Sequence, residues 1–130
     1  MSHDKDYLAC GRHVLVDISD AEPQALNNLD ELERSLVSAA LAEGVTVLGI
    51  LRNAFDPSGV TILLLLAESH VALHTYPNQG KAFFDAFTCG TDYEPANIFH
   101  TFAASISRCT YKMRRIQRGT AVHVEGGGCV

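Results

Sequence analysis

The segment TILLLLAESHVALHTYP, Thr61 to Pro77, limits the fold more than any other part of the chain. Its apolar and β-branched residues favour a strand, yet it runs far beyond the five or six residues of an ordinary one. It must therefore double back, and the first polar interruption, three residues long, is Glu68, Ser69 and His70. No Gly, Pro or Asn occupies that point, so the reversal is a candidate for stored backbone strain. In an unbroken strand Ser69 and His74 point to opposite faces, whereas a bend between them lets them converge.

The flanking sequence supplies partners for such a hairpin. HVLVDI from His13 alternates like a half-buried strand. From Pro23 to Ala42, Leu26, Leu29, Leu32, Leu36, Ala39 and Ala40 recur at helical steps, with Gly44 just past the end. VTVLGILRNAF reads as a strand, and the turn residues DPSG at Asp56 to Gly59 join it to the apolar run. KAFFDAFTCG predicts a further strand, EPANIFHTFAASIS a second amphipathic helix, and YKMRRIQRGTAVHV a last strand before a flexible GGGCV tail. Strands that outnumber and interrupt two helices predict an α+β fold, a two-layer sandwich with a mainly antiparallel sheet and helices on one face.

Composition narrows the function. A chain of 130 residues, 47% hydrophobic and 19% charged, suits a single domain spanning 1–130. A formal net charge of -5 discourages nucleic-acid binding and suits a cationic small molecule. The amino terminus lacks the pattern of a secretory signal, and Ile62 to Ala67 is far short of a membrane span, so a cytoplasmic protein that does not enter membranes is expected. Cys10, Cys89, Cys109 and Cys129 form no CxxC pair and read as free thiols. His70 and His74 stand four apart with Glu68 and Cys89 as possible companions, but that spacing has its force on a helix and this segment is a strand, so no metal is expected. The cluster Lys112, Arg114, Arg115 and Arg118 fits a solvated strand face or a dimer rim.

Taken singly, Ser69 is a turn residue, His70 and His74 are core or interface histidines, Cys89 is a small buried side chain and Phe55 is core. The set in order carries more: GRHVLVDI, FDPSGVT, LAESHVALHTYP and FFDAFTCG. From about Gly11 to Pro95 this resembles the prokaryotic S-adenosylmethionine decarboxylase proenzymes, small pyruvoyl-dependent enzymes of polyamine and spermidine synthesis. The resemblance implies self-cleavage between Glu68 and Ser69 into 1–68 and 69–130. The Ser69 hydroxyl would attack the Glu68 carbonyl, and elimination from the resulting ester would leave dehydroalanine, which hydrolyses to a pyruvoyl group with loss of ammonia. His74 would remove the Ser69 α-proton, and the Thr61 hydroxyl would assist the acyl shift where the family often has serine.

The same resemblance makes the pyruvoyl group from Ser69 the cofactor, which forms a Schiff base with the substrate, and Cys89 the proton donor after carbon dioxide leaves. Phe55 matches the aromatic residue that stacks on adenine. Tyr76 and Asn78 fall in the substrate-binding motif, where the family commonly has tryptophan and glutamate. These departures keep L-arginine or L-ornithine open as alternative substrates. A non-catalytic regulatory homologue is the reading from another class. The resemblance also implies a homodimer of cleaved protomers.

Overall fold

The computed structural model of the protein describes residues 9–119 and 126–128. Strands β1 (Gly11–Ser19), β2 (Val47–Ala54), β3 (Val60–Leu66), β4 (Ser69–Tyr76), β5 (Lys81–Cys89) and β6 (Thr110–Arg118) form one sheet in the order β2-β3-β4-β5-β1-β6. Every neighbouring pair is antiparallel. Helices α1 (Leu29–Glu43) and α2 (Pro95–Ala103) cover one face, as the α+β sandwich expectation requires. No helix among the described residues is long and apolar enough to cross a membrane.

The two faces of the sheet differ by strand parity. Val14, Val16, Ile18, Ile62, Leu64, Leu66, Val71, Leu73, Phe84 and Ala86 point toward the helices and are almost wholly buried. They meet Leu32, Leu36 and Ala39 of α1 and Ile98, Phe99 and Phe102 of α2. Phe84 stacks on Phe102 at 5.9 Å and meets Phe99 edge-on at 5.2 Å, the aromatic seam that seats α2 on β5. The opposite face carries Leu51, Leu63, Leu65 and Phe83, all exposed, with no helix among the described residues over them.

Three expectations are corrected. The stretch from Pro23 to Ala42 is two elements: a 3-10 turn, Pro23–Leu26, and then α1. Asn28 causes the break, because its side chain accepts a hydrogen bond from the Glu31 amide at 3.1 Å and caps a new helix whose first turn holds Asp30 and Glu31. The second helix stops at Ala103, short of the EPANIFHTFAASIS stretch, and Ser105 closes its end on the Phe102 carbonyl. The long apolar segment does fold back, but at Ala67 and Glu68, so β4 runs unbroken from Ser69 through His74. The last strand ends at Arg118; the predicted continuation through Val124 falls on residues 120–124, outside the described residues, as does Cys129. Cys10, Cys89 and Cys109 are free thiols.

Candidate active site

The β3–β4 hairpin and the end of β5 build the site. Leu66 pairs with Ser69 across the hairpin, leaving Ala67 and Glu68 to make the turn. Glu68 adopts φ 62, the left-handed region that a residue with a side chain enters at a cost of about 1–3 kcal/mol. The strain anticipated from the absence of glycine therefore lies on the residue immediately before Ser69. The Ser69 hydroxyl makes only a long contact of 3.4 Å with the Ala67 carbonyl, a weak hydrogen bond.

Cys89 closes the other side: its thiol donates to the Glu68 carbonyl oxygen in a short contact. Burial, then the negative charge of Glu68 and of Cys10, raise the Cys89 thiol above its ordinary value, so it holds its proton. Gly11 pairs with Cys89 across β1 and β5, and a Cβ there would lie 2.5 Å from the Thr88 carbonyl oxygen, so the close packing of these strands at that point needs glycine. Residues after Cys89 are tied down by Arg12, which donates to the Tyr93 carbonyl at 3.1 Å, and by Glu43, which accepts from the Glu94 amide at 2.9 Å. Together Glu68, Ser69, Cys89, Asp92, Tyr93 and Thr46 line a cavity of about 240 Å³. Thr46, Asp92 and Tyr93 carried no sequence signal, because the loops that hold them come together only when the sheet forms.

The remaining candidates lie at the other end of the sheet. His74 pairs with Thr61 five residues down β4 from Ser69, roughly 16 Å away at the rise of a strand. Thr61 Oγ1 and His74 Nδ1 are 3.0 Å apart. Phe55 follows β2 at this same end, and Tyr76, exposed, packs edge-on against Phe83 with centroids 5.6 Å apart. Asn78 sits in the 3-10 turn Pro77–Gln79 just beyond. Convergence of Ser69 and His74 through a bend is thus overturned within one protomer: Glu68, Ser69 and Cys89 form one group, and Phe55, Thr61, His74, Tyr76 and Asn78 another.

A third cluster lies on the exposed face between these ends. Asp85 Oδ2 accepts from His70 Nε2 at 2.7 Å and from His13 Nε2 at 2.9 Å. Burial raises the Asp85 carboxyl, but the hydrogen bonds from His70 and His13 outweigh it and hold it below the usual carboxylate range. The metal grouping weighed from sequence, His70 with His74, Cys89 and Glu68, is not assembled; His70 joins His13 and Asp85 instead.

Comparison with known proteins agrees with the motifs. The family model described as S-adenosylmethionine decarboxylase matches residues 12–119. The chain is 38% identical over 114 residues to S-adenosylmethionine decarboxylase proenzyme 2 of Bacillus anthracis, covering 88% of this chain and 93% of that protein. It is 34% identical over 119 residues to the S-adenosylmethionine decarboxylase proenzyme of Thermoanaerobacter pseudethanolicus, covering 92% and 90%. Its fold matches the crystal structure of the adenosylmethionine decarboxylase from Aquifex aeolicus with a TM-score of 0.78 at 22% identity, over 90% of this chain and 97% of that one. A family match spanning nearly the whole sheet, and relatives of equal length above 30% identity, establish that the chain belongs to the S-adenosylmethionine decarboxylase family.

Proposed function

We propose that this protein is a pyruvoyl-dependent S-adenosylmethionine decarboxylase that makes its own cofactor by cutting the Glu68–Ser69 bond. The observation that carries the reading is a serine directly after a left-handed Glu68 whose carbonyl oxygen is held by the Cys89 thiol. An amide is normally inert, and both features act on it: the turn stores strain next to the bond, and a hydrogen bond to the carbonyl oxygen favours addition of the Ser69 hydroxyl. Addition and collapse break the C–N bond and form an ester between Glu68 and Ser69 Oγ. Loss of the Ser69 α-proton then expels the Glu68 carboxylate, and water replaces the nitrogen, which leaves as ammonia. The residues fit the group so produced, since it would begin β4 beside a protonated thiol.

Bound there, the pyruvoyl carbonyl supplies the electron sink that decarboxylation of an amino acid needs. Cys89 delivers the proton to the former α-carbon, a role suited to a thiol kept in its acid form. His74, with Thr61 against its Nδ1, is the base for the Ser69 α-proton, and that assignment requires a second chain. Two protomers stacked by their open faces, with a two-fold axis crossing β4 at right angles, set the main chain at the Ser69 end of each over the Phe55, Thr61 and His74 end of the other, while the Ser69 side chain, paired with Leu66, points to the helix side. The exposed apolar residues of that face, Leu51 at 72% and Leu65 at 58%, give such a homodimer a driving force. The 240 Å³ of the Ser69 cavity also falls below the roughly 300 Å³ at which small-molecule sites begin, as expected of half a site.

In this arrangement Phe55 and the Tyr76–Phe83 pair offer aromatic surface to adenine and the sulfonium, and Asn78 hydrogen-bonds the ribose. The products are carbon dioxide and decarboxylated S-adenosylmethionine, formed in the cytoplasm. Intact mass under denaturing conditions tests the reading. Fragments 1–68 and 69–130 are expected, the second lighter than its serine-ended form by one ammonia, and carbon dioxide release from S-adenosylmethionine is expected to exceed that from arginine or ornithine. A single uncut chain, stable for days, would place the protein among non-catalytic homologues.

A further inference from the structure

We propose that His13, Asp85 and His70 form a binding site for a divalent transition metal such as Zn²⁺ or Co²⁺. The three side chains come from β1, β5 and β4, the adjacent central strands of the sheet, so their backbones are fixed by the ladder. Their ligand atoms all lie within 4.8 Å of one another. In a tetrahedral zinc site with bonds of about 2.0–2.1 Å, ligand atoms stand about 3.3 Å apart. The two histidine-to-carboxylate separations of 2.9 and 2.7 Å therefore need to open by only about half an ångström, and the pair of imidazoles needs to close.

The chemistry of the donors selects the ion. Two imidazole nitrogens and one carboxylate suit zinc, cobalt, nickel or iron, whereas magnesium and calcium prefer oxygen alone. Binding needs no net loss of protons from neutral imidazoles. In the bound form each imidazole carries its proton on Nδ1 and gives its Nε2 lone pair to the metal, while Asp85 supplies a carboxylate oxygen. The surroundings also fit a discrete site. Phe87 packs against both rings, with centroids 5.5 Å from His13 and 6.2 Å from His70, and limits their swing. Three protein ligands leave a fourth position on the helix-free face of the sheet, to be filled by a water or, in the proposed dimer, by a group at the interface. A bound ion would join β1, β4 and β5 one residue from Ser69, where β4 begins.

The test uses the full chain without a histidine tag, stripped by chelator and titrated with Co²⁺. One equivalent per chain with a visible absorption band is expected, displaced by Zn²⁺ and unaffected by Mg²⁺, together with a rise in melting temperature. Loss of outer partners of metal ligands typically weakens binding about 10–100-fold, so loss of a ligand must do at least as much. His70→Gln and Asp85→Asn preserve size and hydrogen bonding, and each is expected to weaken Co²⁺ binding at least about tenfold while leaving the metal-free melting temperature within a few degrees. No saturable binding, or equal affinity in both variants, overturns the site; in the latter case the thiols hold the ion. None of these readouts depends on cleavage or decarboxylation.

Discussion

In the proposed mechanism Cys89 has two duties, and both need its proton. Burial and the neighbouring Glu68 charge raise its thiol, so the acid form persists through neutral pH and beyond the ordinary thiol value near 8.5. The sign is that of an acid stabilised in its neutral form: the benefit is complete below the unfolded value and lost as pH rises through the folded one. Cleavage replaces the neutral Glu68 carbonyl with a terminal carboxylate, which adds negative charge beside the thiol and moves it further the same way. The alkaline limb of kcat is therefore expected above pH 8.5. Cys89→Ala is expected to lower kcat by about 10²–10⁴ and to abolish that limb, both read from carbon dioxide release against pH.

At the scale of elements, the turn between β3 and β4 matters most, because it places a strained residue on the bond proposed to be cut. Glu68→Gly removes the penalty of the left-handed conformation, and with it about 1 kcal/mol of help toward the transition state. Cleavage is expected to slow about fivefold, timed on denaturing gels from a freshly refolded chain; an unchanged rate would show that the strain is not used. This turn was legible in the sequence, since the run from Thr61 to Pro77 cannot be one strand and Glu68 to Ser69 is its polar point. So were both helices and the succession of strands along the chain, though not their order in the sheet. The break at Asn28 was not, because helical spacing continues through it and only its side-chain cap reveals the new start. The His13, Asp85 and His70 cluster was hidden for another reason: single polar residues on three strands meet only through sheet order and register, which periodicity does not fix. For the same reason the motifs named Ser69 and His74 together while the strand holds them at its two ends.

For the whole molecule, that separation makes a sharp prediction about ownership of the active site. A chain with Ser69→Ala keeps its His74, and a chain with His74→Ala keeps its Ser69. Alone, the first cannot be cut and the second is expected to be cut very slowly. Co-expressed, they are expected to form a mixed dimer in which the intact His74 of one faces the intact Ser69 of the other, so that the His74→Ala chain is cleaved. Mass spectrometry distinguishes the chains, and failure of the mixed dimer to cleave would mean that His74 does not act across the interface.

The strand order β2-β3-β4-β5-β1-β6 bears on what the protein would become after the proposed cut. The amino-terminal piece owns β1, β2 and β3, and the carboxy-terminal piece owns β4, β5 and β6. They do not divide the sheet into halves: β1 is threaded between β5 and β6, so the two pieces are interleaved like clasped fingers. A chain severed as proposed would be held by this interleaving without the bond that allowed the shape to form. Unfolded, it would no longer be one molecule searching for its own contacts but two solutes searching for each other, with a recovery that depends on dilution. The protein's architecture would then record its history, folded once as a single chain and maintained afterwards as an assembly.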